Sequence, residues 1–198
     1  MDSQAVARRI LRTTGWTVQG EPPPDPVVVL VAAPHTSNWD FAVMLLLSRA
    51  FGIQAKFLGK QELFRGPMGA FMRTAGGISI DRSNPAGVVD AMVAHASTAE
   101  RFQLVIAAEG TRKPKQYWKS GFYRLAEQAG IPICLGFCDG PTRTMGYGPT
   151  FRPSGDVRAD MDLVRAFYAD KQGINPENRT EPRLREEDEP RPAAAAEG

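Results

Sequence analysis

The chain has 198 residues, 42% of them hydrophobic and 23% charged, with two cysteines and a formal charge of +2. That is enough for one ordinary soluble domain and leaves little room for a second. It lacks the run of about eighteen apolar residues that a membrane-spanning helix needs, and its N-terminus lacks the apolar stretch of a signal peptide.

Charge is unevenly spread. Residues 175–198 hold seven acidic and four basic residues, leaving a body with a basic excess of five. This tail is rich in Pro, Glu and Arg and poor in large apolar residues, so disorder is expected there. A basic body suits phosphate-bearing ligands or an anionic membrane surface.

In chain order, residues 1–20 read as a basic amphipathic segment: Val6, Ile10, Leu11 and Trp16 interleave with Arg8, Arg9 and Arg12. Such a segment packs on its own domain or lies on lipid. From residue 21 to 174, apolar strand-like runs alternate with helix candidates. The strands are VVVLVAA (27–33), AKFLG (55–59), GISID (77–81), QLVIAAE (103–109) and IPICLGF (131–137). Helices are predicted over 38–51 behind a Ser37/Asn38 cap signal, from Pro67 to Gly76, over 85–98, over 117–129 before Gly130, and over about 159–170. The alternation predicts a single-domain α/β fold: a largely parallel twisted sheet with helices on both faces. Cys134 and Cys138 fall in an apolar strand and read as buried free thiols, which points to a reducing, cytoplasmic setting.

In such sheets, ligand sites gather beyond the carboxyl ends of the strands. Here those ends read PHTSNWD, GKQEL, DRSN and EGTRK, all rich in groups that bind anions or move protons. His35 and Asp40 are five apart and meet only if the chain turns between them. Pro34 and the cap signal supply that turn. A carboxylate on one imidazole nitrogen fixes the tautomer and leaves the other nitrogen as a general base. His95, on a predicted helix, reads as structural. No second histidine accompanies His35, so no metal site is expected. Ser37 beside His35 makes a poor case for a nucleophile.

His-x4-Asp after a buried strand, followed some seventy residues on by Glu-Gly-Thr-Arg, resembles the glycerolipid acyltransferase family, which includes 1-acylglycerol-3-phosphate acyltransferase. The resemblance runs over about residues 15–172 and includes GGISIDR and IPI in family order. It implies a glycerol-3-phosphate acyltransferase-like fold, with His35 deprotonating an acceptor hydroxyl and Asp40 orienting His35. That hydroxyl would attack the thioester of acyl-CoA or acyl carrier protein directly, with no further cofactor. By the same resemblance Arg82 and Arg112 hold the acceptor's phosphate, Lys60 adds positive charge there, and Glu109 contacts the acceptor's hydroxyls. Gly110 lets the backbone approach the ligand, and Thr111 and Lys119, the latter in a Lys-x-Gly that follows EGTR, belong to the substrate-binding set. Ala107-Ala108 replaces the family's usual Phe-Pro. The implied acceptor is a lysophospholipid; a glycolipid or lyso-ornithine lipid acceptor, or a non-catalytic membrane-peripheral lipid-binding protein, are the alternatives. The resemblance implies a peripheral place on the inner face of the cell membrane and no nucleic-acid partner. ELFRGPMGAFMR, residues 62–73, is a candidate lipid-facing element or a piece of core.

Overall fold

A computed structural model describes residues 2–81 and 83–189. Its strands are β1 (Thr17–Gln19), β2 (Val27–Ala33), β3 (Ala55–Lys60), β4 (Gly77–Ile80), β5 (Phe102–Ile106), β6 (Ile133–Asp139) and β7 (Thr144–Phe151). They form one sheet in the order β1-β7-β6-β2-β5-β3-β4. β2 lies at its middle, parallel to β5 and to β6. A central strand covered on both faces can afford no polar side, and VVVLVAA has none. Val28 and Leu30 point into one apolar cluster, Val29, Val31 and Ala33 into the other.

The helices are α1 (Ser3–Thr13), α2 (Trp39–Ala50), α3 (Gly66–Thr74), α4 (Pro85–Thr98), α5 (Gly121–Ala129) and α6 (Val157–Tyr168). α1, α2 and α3 cover one face, and α4, α5 and α6 the other. α4 starts where Pro85 and an Asn84 cap predict, the Asn84 side chain accepting from Gly87 N. α5 ends on Gly130 in the left-handed conformation. α1 packs on its own domain: Ala7 and Leu11 are buried, and Arg8 Nε donates to Ala50 O at 2.9 Å.

The structure departs from the sequence-based expectation in four places. The run 103–109 leaves the sheet at Ile106, because residues 107–110 turn back through Gly110 N to Ala107 O, 3.0 Å. The helix expected from Tyr117 starts at Gly121, because the N–H groups of Trp118 and Lys119 are held by Arg183 O and Ala108 O, both at 2.7 Å. Two strands were not expected at all: β1, inside the segment read as amphipathic, and β7, antiparallel to β6. Gly146, Gly148 and Pro149 hide β7, and Pro149 is tolerated because β1 pairs only with residues 144–146.

The fourth departure is the tail. Residues 175–189 are packed on the body rather than loose. Leu184 and Thr180 are buried, and Arg165 and Arg158 bind the carbonyls of Pro182, Glu187 and Glu189. Residues 190–198 of that expected tail lie outside the described residues. Among the described residues no helix is long and apolar enough to cross a membrane.

Candidate active site

β2, β5 and β3 are neighbours and parallel, so the segments after them emerge side by side at one edge of the sheet. This brings PHTSNWD beside EGTRK, with Lys60 at the end of β3, two strand spacings or about 10 Å from β2.

The chain turns at residues 34–38, and Asp40 in the first turn of α2 reaches back. Its Oδ2 accepts from Thr36 N and Ser37 N, both at 2.7 Å, and lies 3.1 Å from His35 Nδ1. A single carboxylate oxygen thus fixes the turn and the imidazole together. Nδ1 donates to it, so Nε2 is the basic nitrogen. Both side chains are mostly enclosed, at 21% and 10% exposure. The expected helix cap is realised differently from the Ser37/Asn38 reading. Asn38 makes no side-chain cap bond, and Ser37 Oγ accepts from Trp39 N at 3.2 Å.

Glu109, expected at acceptor hydroxyls, faces inward at 2% exposure. Its Oε1 accepts from His35 N at 2.8 Å, so it holds the histidine's backbone. Burial pushes its carboxyl pKa up to about 7, against the hydrogen bond from His35, which favours the ionised form. Asp40 Oδ1 and Glu109 Oε2 are buried without a hydrogen-bond partner among the described residues.

A cavity of about 980 Å³ has His35, Asp40, Gly110 and Lys119 on its wall. The rest of the wall is largely apolar, drawing Phe41, Met44 and Leu47 from α2 and Val88, Val89 and Met92 from α4. Gly110 has a φ of +66°, and a Cβ there would stand 3.0 Å from Lys119 Cγ. A larger residue would push Lys119 away or strain the turn. Lys60, Thr111 and Arg112 are not on the cavity wall; Lys60 and Arg112 are exposed beyond it, without an ion pair among the described residues. Arg82 lies outside the described residues. His95 packs against Phe102 with ring centroids 4.7 Å apart, the structural place expected for it. Among the described residues no cluster of His, Cys, Asp or Glu is arranged to hold a metal ion.

The acyltransferase family model matches residues 16–134. The chain belongs to that family. The crystal structure of the 1-acyl-sn-glycerophosphate (LPA) acyltransferase PlsC from Thermotoga maritima shares the fold of this acyltransferase, with a TM-score of 0.56. The match covers 81% of this chain and 74% of that one, at 17% identity. No curated protein matches the chain.

The family match ends at Cys134, whereas partners of the active-site turn lie further on. Asn175 and Asn178 both bind Thr36. Sequence reasoning missed them, since asparagines in a polar, proline-rich segment give no periodic signal.

Proposed function

We propose that this acyltransferase moves a fatty acyl group from acyl-CoA or acyl carrier protein to the hydroxyl of a lysophospholipid such as 1-acylglycerol-3-phosphate. The observation that carries this reading is the His35–Asp40 pair, 3.1 Å apart, on the wall of a large and mostly apolar cavity. His35 Nε2 takes the hydroxyl proton as the oxygen attacks the thioester carbonyl. The C–S bond then breaks, and the imidazolium returns the proton to the departing thiolate. Asp40 stabilises the imidazolium between these steps, and no cofactor beyond the donor is called on. An acyl-cysteine route is disfavoured: burial pushes the Cys134 thiol up to about 11 and raises Cys138 as well, so both stay thiols rather than nucleophilic thiolates.

The test is thiol release from palmitoyl-CoA and from palmitoyl carrier protein, with and without lysophosphatidate, following the product by mass spectrometry. Acceptor-dependent release supports the reading; release without acceptor identifies a thioesterase. Silence across a panel of phospholipid, glycolipid and ornithine-lipid acceptors, from folded protein that binds lipid, favours the non-catalytic alternative. Lys60, Arg82, Arg112 and Lys119 are the cations that favour an anionic acceptor. Arg112→Ala is therefore expected to raise KM for lysophosphatidate about tenfold and leave a neutral lysolipid almost unaffected, the loss of one charge-assisted contact. Equal losses with both acceptors would remove Arg112 from phosphate binding.

The same reading puts the protein on the cytoplasmic face of the membrane. Trp39 is 71% exposed although it sits inside the His35–Asp40 turn, and Met68 and Phe71 are 57% and 54% exposed on the outer side of α3. Phe41 meets Phe57 edge to face, and Phe57 shares a core cluster with Phe64 and Met72, so α2 and α3 cover the same face of the sheet. Lys60, Arg65 and Arg73 are exposed along the stretch 60–73 that carries Met68 and Phe71, and they complement anionic headgroups. Of the sequence stretch 62–73, then, Met72 serves the core while Leu63, Met68 and Phe71 face outward. Trp39→Ser with Phe71→Ser is expected to weaken co-sedimentation with phosphatidylglycerol vesicles at least about tenfold, given the apolar area withdrawn from lipid. Unchanged sedimentation would assign these side chains another role.

A further inference from the structure

We infer that Asn175 and Asn178, beyond the region the family model matches, are positioning residues for the His35–Asp40 pair. Every polar group of Thr36 is engaged. Its N–H goes to Asp40 Oδ2 at 2.7 Å, and its hydroxyl oxygen accepts from Asn175 N at 3.0 Å. Its carbonyl accepts from Asn175 Nδ2 at 3.2 Å and from Asn178 Nδ2 at 3.3 Å. Thr36 is 2% exposed, so water cannot readily replace these donors.

The segment 172–180 is shaped to deliver two amides to one carbonyl. Pro176–Asn178 is a 3₁₀ turn closed by Asn178 N on Asn175 O at 3.0 Å. In that geometry side chains three apart share a face. The approach is fixed upstream: Gln172 N donates to Asp139 Oδ1 at 2.7 Å, and Gly140 N to Gly173 O at 3.0 Å. Gly173 has a φ of +76°, and a Cβ on it would fall 2.7 Å from Thr36 Oγ1 and 3.2 Å from Pro34 Cβ. Only glycine lets the strap come this close to the turn. Downstream, Arg179 ties the strap to Lys171 O at 2.9 Å and Tyr168 O at 3.1 Å without touching Thr36. Thr36 lies between the base and its carboxylate, so fixing its peptide fixes the direction of His35.

The test compares Asn175→Ala/Asn178→Ala, Asn178→Ala alone and Arg179→Ala in the full chain. In the double variant kcat falls about 30-fold with both KM values within about twofold, because a base slightly out of place costs rate rather than binding. The downfield proton resonance of His35 Nδ1–H, assigned by its absence in His35→Ala, shifts or broadens. Asn178→Ala keeps one amide on the carbonyl and shows a smaller loss in the same direction, which decides the matter if the double variant does not fold. Arg179→Ala lowers Tm but keeps kcat within about twofold well below melting, since it leaves the Thr36 contacts in place. Unchanged kcat and resonance in the asparagine variants overturn the assignment, as does an equal kcat loss in Arg179→Ala at matched Tm. The kinetic arm rests on the proposed reaction. The resonance does not, so a protein without acyl transfer still decides this point by whether the His35 signal moves.

Discussion

Replacing His35 with alanine is expected to lower kcat about 1,000-fold while Tm and lipid binding stay near wild type, the range for loss of a positioned general base. The side chain is partly exposed on the cavity wall and touches Asp40, so little packing is lost with it. Asp40→Asn is expected to cost less in rate, about 100-fold, and more in stability. Asp40 Oδ2 serves three donors at once: Thr36 N, Ser37 N and His35 Nδ1. A neutral amide oxygen still accepts from the backbone but no longer stabilises an imidazolium, and its NH₂ presents a donor to this donor-rich turn. Steady-state thiol release at saturating acceptor, with thermal melts alongside, separates the effects. A His35→Ala rate within tenfold of wild type would reject His35 as the base.

What the sequence made legible follows from the range of the interactions involved. β2 is readable because a strand covered on both faces must be apolar throughout, and α4 because Pro85 and Asn84 are local signals of a helix start. The His35–Asp40 relation is local too, carried by a turn of five residues, and it was foreseen. Glu109 was seen as a residue that could not be buried cheaply, but its partner was not. The His35 N–H lies 74 residues away and is a main-chain group, which no side-chain pattern reports. The strap shows the same limit more strongly. Residues 175–189 look disordered by composition, yet they are held through carbonyls and single buried anchors such as Leu184, not through a periodic apolar face. Local pattern therefore found five of the seven strands and the meeting of His35 with Asp40, while the contacts that hold the main chain of that turn are non-local and visible only in the fold.

Between pH 5 and 8, Glu109 is expected to carry a large pH effect on stability. Burial raises its carboxyl pKa from the ordinary glutamate value of 4.5, which holds in the unfolded chain, to about 7 in the fold. Between those values the folded protein keeps a proton that the unfolded chain has released. The contribution of this group is therefore complete below about pH 4.5 and is lost as pH rises through 7. At about 1.4 kcal/mol per unit, the loss amounts to about 3 kcal/mol by pH 8. Glu109→Gln keeps an oxygen for the His35 N–H and cannot ionise. It is thus expected to match wild type near pH 4.5 and to exceed it increasingly toward pH 8, with kcat retained within about tenfold because the histidine is still held. Glu109→Ala removes the acceptor, leaves the His35 N–H unpaired and opens a cavity, so it should destabilise at every pH and lower kcat with it. Urea unfolding of the three proteins at pH 5, 6, 7 and 8 reads these differences directly. A gap between Glu109→Gln and wild type that stays constant across that range would mean that Glu109 does not titrate there. Its unpartnered Oε2 would then have to be satisfied when ionised, and the carboxylate would hold His35 as an anion throughout.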